Sequence, residues 1–372
     1  MAKTFDVVII GAGAAGLMCA ATAGYRGRRV LVIDHAPRPG RKILMSGGGR
    51  CNFTNLNSTP ANFLSDNPHF CISALKRYTP QDFLELVDRH GIEHEEKAAG
   101  QLFCRDSARS ILDMLLTECE WAGSEIRLKT SVESVNLSAN TYRVKTSGGE
   151  VECSSLVVAT GGLSIPTMGA TGFGYNLARQ FGLDVRPTRA GLVPFTLTPE
   201  LKQQLSPLAG ISCPVEVSCN GEHFREPMLV THRGLSGPAM LQISSFWQPG
   251  DPEAIDLLPG QQALEALNQL KQEHPTLTLE RYLARTLPRR FARAFAELQG
   301  WDGPLQGYRK ADLEAAAHTL SAWTLTPAGT EGYRTAEVTL GGVDTRQLSS
   351  KTMAANDVPG LFFIGEVVDV TG

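Results

Sequence analysis

Two kinds of apolar pattern alternate along this chain. Phe5-Asp-Val-Val-Ile-Ile10 is short, β-branched and without a helical period, which predicts a buried parallel strand. The alanine-rich stretch Leu17–Tyr25 predicts a helix, and Arg28-Arg-Val-Leu-Val-Ile33 a second strand. Leu156–Thr160 and Leu361–Ile364 have the same buried-strand character and run into Gly161-Gly162 and Gly365-Glu366, while Ser131–Val135 is strand-like. Between about Thr188 and Asp256 the pattern changes to short β-type runs, such as Pro214–Ser218 and Met228–Val230, broken at Asn220-Gly221 and Arg233-Gly234. Gln261–Ala322 is helical in period, with Leu283, Leu287, Phe291 and Phe295 as its core stripe and Pro288 expected to start a new helix. Trp323–Val343 returns to strands and glycines. This order predicts an α/β protein: a Rossmann-type domain (1–187 and 344–372) with an inserted β-barrel-like domain (188–258 and 323–343) and a small helical domain (259–322).

Chemistry enters at the first strand end. Gly11-Ala-Gly13-Ala-Ala-Gly16 follows the strand at once and opens the helix, and the second strand ends in Asp34. This is the βαβ dinucleotide fingerprint with its parts in order. Gly11 serves the tight turn, Gly13 the approach of a pyrophosphate, and Gly16 the close packing of helix on strand. The helix N-terminus offers N–H groups and a positive dipole end to phosphate. Gly11, Gly13, Ala14, Ala15 and Gly16 are therefore expected at the cofactor, and Asp34 at ribose hydroxyls. The nearly uncharged stretch Val7–Gly24 is long enough to suggest a membrane span, but the glycine spacing explains it better. Gly169-Ala-Thr-Gly-Phe-Gly174 follows an irregular segment, not a strand, and predicts a loop entering a helix.

Composition adds limits. A hydrophobic content of 42%, 20% charged residues and a net charge of −3 exclude a disordered chain and a surface that coats nucleic acid or membrane as a whole. The eight cysteines form no CxxC pair and no framework spacing, so a reduced, cytoplasmic protein without a metal site is expected. One local charge pattern stands out. Leu279–Lys310 holds seven basic and three acidic residues, a balance of +4 that leaves −7 for the remainder. Arg281, Arg285, Arg289 and Arg293 recur every four residues with Arg290 beside them, so a phosphate partner would explain the column; a solvated helix face explains it equally well.

A second glycine cluster lies in Pro39-Gly-Arg-Lys-Ile-Leu-Met-Ser-Gly-Gly-Gly-Arg-Cys-Asn-Phe-Thr-Asn55. Three consecutive glycines are costly to order, which suits a loop whose backbone must approach something flat or phosphorylated. Together with the fingerprint, this segment resembles a family of bacterial FAD flavoproteins that includes aminoacetone oxidases, bile-acid dehydro-reductases and the ribosomal RNA dihydrouridine synthase of enterobacteria. Further matching motifs are Leu156–Gly162, Thr231-His-Arg-Gly-Leu-Ser-Gly-Pro238, Glu331–Val343 and Val358–Asp369, and the likeness leans towards the ribosomal RNA enzyme.

The resemblance implies FAD as cofactor, NAD(P)H as electron donor and a uridine of 23S ribosomal RNA or its precursor as substrate. The alternative it leaves open is a small-molecule flavin oxidase or enone reductase. It also implies that Val132 holds the adenine through backbone groups, that Ala159, Thr160 and Gly161 lie by the adenosine and pyrophosphate, and that Gly365 and Glu366 face the pyrophosphate and ribityl chain. Arg41, Lys42, Ser46, Asn52 and Asp369 are further expected cofactor residues. Cys51 is the candidate proton donor, with Arg50 beside it to tune the thiol, and a small buried cysteine packing under the loop is the alternative. Arg285, Arg289, Arg290 and Arg293 are the candidate RNA contacts. Relatives continue past the equivalent of Asp369–Gly372 with a glycine-rich turn and a final helix directed at the flavin, so weaker flavin support is expected in a chain ending at Gly372.

Overall fold

The computed structural model describes residues 3–372, which divide into two units, one of residues up to Arg189 and from Thr339 to Gly372, the other Ala190–Val338. In the first unit, β1 (Lys3–Ile10) leads into α1 (Ala14–Tyr25) and β2 (Val30–Ile33). Strand β2 begins at Val30, two residues later than its sequence run, and leaves Arg28 and Arg29 exposed. β1 lies parallel to β2, with Val7 opposite Val30, and parallel to Gly149–Val158, with Ile10 opposite Val158. Glu125–Arg127 extends the parallel sheet beyond β2, and Leu361–Phe363 pairs with the last three residues of Gly149–Val158. The first half of that long strand pairs antiparallel with Thr141–Thr146, which pairs in turn with Val132–Ser138. Apolar side chains fill both faces of the sheet: Val8, Leu156 and Phe363 on one, Ile9, Leu17 and Val32 on the other, all fully buried.

Segment α2 (Arg41–Gly49) is helical only as far as Met45; Ser46 is extended, and Gly47 and Gly48 are left-handed. The irregular loop expected at the triple glycine is thus preceded by a helical turn. A small antiparallel sheet of Asn52–Asn55, Gln101–Cys104 and His94–Glu96 follows. Gly169 ends a short 3₁₀ turn, and Phe173–Gln180 is the helix that the glycine motif predicts.

The second unit is a seven-stranded antiparallel sheet with helices. Its edge strands, Trp323–Leu325 and Gly329–Thr330, are separated by only three residues, so the sheet must curl until its edges approach, in the manner of a barrel. Helix Leu279–Leu283 ends before Pro288, which caps the next helix, Arg289–Gln299. Leu283, Leu287, Phe291 and Phe295 are all buried in one core shared with sheet residues such as Val217 and Ile255. Glu253 is the exception within this core. It is fully buried, both of its carboxyl oxygens lack a hydrogen-bond partner among the described residues, and burial pushes its pKa up to about 8. Among the described residues no helix is long and apolar enough to cross a membrane.

Candidate functional site

The dinucleotide turn forms because two glycines remove the atoms that would forbid it. Gly11 has φ +113°, and a β-carbon there would lie 2.3 Å from the Ala159 carbonyl oxygen. One on Gly16 would lie 1.9 Å from the Gly11 carbonyl oxygen. Gly13 differs: a β-carbon there meets nothing within 4 Å, so the N-terminus of α1 opens onto free space with no side-chain cap on its N–H groups. The Asp34 carboxylate accepts from Ala12 N at 2.7 Å and Ala36 N at 2.8 Å, which fixes the carboxylate while each oxygen keeps lone-pair capacity.

A cavity of about 290 Å³ begins here, lined by Gly11, Asp34, Val132, Thr160, Thr171 and Phe173 among others. The Thr160 hydroxyl is buried without a partner among the described residues. An unpartnered hydroxyl and a fixed carboxylate in one cleft, with the turn that leads from Gly11 to the uncapped N-terminus of α1 at its edge, fit the adenosine and pyrophosphate of a dinucleotide.

Next to it lies a second cluster. Lys42 Nζ donates to Glu366 Oε2 at 2.7 Å and to the Ser164 hydroxyl. Glu366 also accepts from Thr339 N at 2.7 Å and Gly162 N at 3.3 Å. The Thr339 hydroxyl, fully buried, accepts from Leu163 N and Ser164 N at 2.8 and 3.1 Å. Gly161 adjoins Thr160 and comes within 3.9 Å of Glu366, measured from a β-carbon built on it, so the two clusters are continuous. Gly365, at φ +74°, packs closely on Ala15 of α1.

The remaining expected residues are placed differently. Arg41 donates to the Thr167 carbonyl at 3.2 Å. The Asn52 amide, turned with its NH2 inwards, donates to the Leu102 and Thr54 carbonyls. Asp369 is buried, accepts from Asp66 N at 3.0 Å, and is held above the usual carboxylate range by that burial. Cys51 sits at φ +51°, buried between the glycine turn and the small sheet, and burial with Cys104 nearby pushes its thiol up to about 11. Arg50 does not tune it towards a thiolate; the guanidinium pairs with Glu95 at 2.8 Å. Among the described residues no cluster of three or more His, Cys, Asp or Glu could hold a metal ion.

In the second unit Arg290 donates to the Pro207 carbonyl at 2.8 Å and Arg293 pairs with Glu297 at 2.9 Å. Arg285 and Arg289 are exposed and make no ion pair among the described residues. Residue-by-residue reading passed over Ser164 and Thr339, which tie Lys42 and Glu366 together. Thr339 lies inside the motif Glu331–Val343, but a threonine in a strand carries no signal of its own.

The family described as HI0933-like protein Rossmann domain matches residues 5–372. The chain is 55% identical, over all of its length and 93% of the relative's, to the ribosomal RNA dihydrouridine synthase of Escherichia coli K12. It is 49% identical to the Haemophilus influenzae protein of the same name, over the whole chain and 94% of that protein. Identity falls to 27% with the 3-dehydro-bile acid delta(4,6)-reductase of Clostridium scindens, over 98% of this chain and 93% of that one. In fold it is similar to the 3-ketosteroid-delta4-(5alpha)-dehydrogenase of Rhodococcus jostii RHA1, with a TM-score of 0.52 at 17% identity, covering 99% of this chain and 91% of the other.

Proposed function

The chain belongs to the HI0933-like Rossmann family, and from that premise we propose that it is an FAD-dependent oxidoreductase that reduces a uridine of 23S ribosomal RNA to dihydrouridine, with NAD(P)H as donor. The observation that carries this reading is the 55% identity to the Escherichia coli ribosomal RNA enzyme along the entire chain. A cytoplasmic setting goes with that substrate.

In this reading Asp34 holds the ribose hydroxyls, the backbone of Val132 the adenine, and Thr160 the adenosine side of the pyrophosphate. The N–H groups of Ala14 and Ala15 face the phosphates. Lys42, fixed by Glu366 and Ser164, brings a positive charge to the same cleft. Bound FAD supplies hydride chemistry at its N5 position. The chain has one dinucleotide fingerprint, so NAD(P)H binds without a Rossmann domain of its own.

Reduction of the uracil ring adds hydride at C6 and a proton at C5. Cys51 is the proton donor in this scheme. Burial pushes the thiol up to about 11, so it stays protonated throughout the neutral range and keeps the proton it would donate, as a weaker acid than a thiol of ordinary pKa. Cys51→Ala is expected to lower dihydrouridine formation about a hundredfold while anaerobic bleaching of the flavin by NAD(P)H is unchanged. Dihydrouridine formation at the wild-type rate would assign Cys51 to packing alone.

Arg285 and Arg289 are the RNA contacts in this reading that have no intramolecular partner to give up. Replacing both with alanine is expected to weaken RNA binding and flatten the salt dependence of log K by about 1.4 for single-stranded RNA. An unchanged slope in a salt titration would remove both from the interface. Deleting the gene tests the function as a whole: dihydrouridine is expected to disappear from the ribosomal RNA and to return with the plasmid-borne gene. Ribosomal RNA with its dihydrouridine intact would overturn the reading.

A further inference from the structure

The motifs at 231–238 and 331–343 contribute one residue, Thr339, to the cluster around Lys42 and Glu366. Within the second unit the same motifs bring Arg233, Glu331 and Arg334 together. Strand Phe195–Thr196 pairs on one side with Gly234–Ser236 and on the other with Gly329–Thr330. Arg233 therefore stands directly before one neighbour of this strand, and Glu331 directly after the other. Gly234 permits the close pairing, since a β-carbon on it would lie 2.1 Å from the Phe195 carbonyl oxygen. The Thr231 hydroxyl accepts from Arg233 N at 3.2 Å and Gly234 N at 3.0 Å, and Glu331 N donates to the Pro194 carbonyl at 2.9 Å. Backbone bonds thus hold both residues without help from their side chains.

Glu331 Oε2 pairs with Arg233 Nη1 at 3.2 Å and with Arg334 Nη2 at 3.9 Å. Arg334 reaches the carboxylate because the 3₁₀ turn Gly332–Arg334 sets residues three apart on one side. The Glu331 side chain is 10% exposed, whereas those of Arg233 and Arg334 are 51% and 62% exposed. The acid lies beneath the two cations, so the charge turned outwards is positive, with His232 exposed beside it in the chain. Glu337 is the other acid of this segment, and partial burial pushes its carboxyl up, towards the neutral form. Each guanidinium carries five N–H donors. Among the described residues the Arg233 side chain uses one of them in a hydrogen bond and that of Arg334 none.

We propose that Arg233 and Arg334 form a two-guanidinium site for a phosphodiester of the RNA substrate, with Glu331 orienting them from below. Ion pairs between side chains this exposed add little stability, so fastening the fold does not account for the arrangement. Guanidiniums fixed as a pair match the oxygens of a phosphate in charge and in geometry. A nicotinamide dinucleotide also carries phosphate, but only RNA repeats it along a chain, so RNA can engage this site together with the exposed Arg285 and Arg289 of the same unit. The proposal rests on the RNA reading of the preceding section and adds contacts that the arginine column does not contain.

The test uses the full chain with its flavin, a fluorescein-labelled oligouridylate as probe, and anisotropy across a salt series. Arg233→Ala and Arg334→Ala are each expected to flatten the salt slope of log K by about 0.7, and the double variant by about 1.4. Arg233→Lys keeps the charge but not the fork, so the slope should hold while affinity falls about threefold. The KM for NAD(P)H in anaerobic flavin bleaching is expected to stay at the wild-type value in all of them. Arg334→Ala leaves the closer Arg233–Glu331 pair intact, which separates loss of an RNA contact from loss of folding. With wild type, a thiouridine-substituted oligomer is expected to crosslink to peptides from 231–238 or 331–338.

A salt slope unchanged in the double variant, or a crosslink map without either peptide, overturns the site. A raised KM for NAD(P)H with RNA binding intact also overturns it and assigns the arginines to the donor's phosphate. The same preparations are assayed for dihydrouridine on unmodified ribosomal RNA. Product from wild type together with a failed site leaves the function reading standing, and no product from wild type overturns that reading itself.

Discussion

Glu253→Gln is expected to abolish most of the loss of stability that the wild-type protein suffers between about pH 4.5 and pH 8. The carboxyl is fully buried in the core of the second unit with neither oxygen hydrogen-bonded among the described residues. Desolvation therefore holds its folded pKa at about 8, against 4.5 for a free side chain. The folded state binds the proton more tightly than the unfolded state does. The native advantage is intact below the unfolded pKa and declines as pH rises through the folded one. At about 1.4 kcal/mol per unit, the decline amounts to roughly 5 kcal/mol. Glutamine cannot ionise, so its urea midpoint should stay nearly level across this range. Trp247, Trp301 and Trp323 of the chain's four tryptophans lie in this unit, so tryptophan fluorescence reports its unfolding. A variant whose midpoint falls in parallel with wild type would show that Glu253 ionises without penalty.

The second large effect is expected at the dinucleotide turn, and it divides two glycines that look alike in sequence. Gly11→Val should give a poorly folded protein without flavin. Its φ of +113° is hostile to any side chain, and the new β-carbon would press on the Ala159 carbonyl at 2.3 Å. That carbonyl belongs to the residue directly after the strand Gly149–Val158, and Ala159 N bonds to Ile10 O at 2.9 Å, so it has little room to yield. Left-handed strain and overpacking together cost roughly 2–5 kcal/mol. Gly13→Ala is the contrasting case. Its φ is −83° and the β-carbon enters open space, so the fold should hold with its melting temperature near wild type. If a pyrophosphate approaches the helix N-terminus there, the same methyl group must collide with it, and flavin content should fall. Full flavin occupancy in Gly13→Ala would place the pyrophosphate elsewhere.

Much of this was legible in the sequence because local physics dictates it. Strand β1, the glycine turn, α1, β2 and Asp34 are contiguous, and each residue's role follows from backbone geometry within its own βαβ unit. The break at Pro288 was legible for the same reason: a missing N–H cannot be restored by tertiary context. The long strand Gly149–Val158 was only half legible. Its last three residues are buried in the parallel sheet and read as apolar, while its first half faces the antiparallel edge and alternates. Other features depend on contacts between distant segments. Lys42, Ser164, Thr339 and Glu366 are separated by as many as 324 positions, and only folding makes them one network. Cys51 beside Arg50 suggests a proton donor whose thiol the guanidinium tunes, but Glu95 takes the guanidinium and burial pushes the thiol up instead. The arginine column likewise looked uniform, yet Arg290 and Arg293 have partners within the unit and Arg285 and Arg289 do not.

The most direct test of the central claim is a single-pot reaction of the purified, flavin-loaded chain with NAD(P)H and ribosomal RNA from a strain lacking the gene. Anaerobic bleaching of the flavin by NAD(P)H, its reoxidation on addition of the RNA, and dihydrouridine at one uridine of 23S ribosomal RNA are the expected results. A flavin that bleaches but stays reduced with RNA present, and RNA recovered without dihydrouridine, would contradict the account.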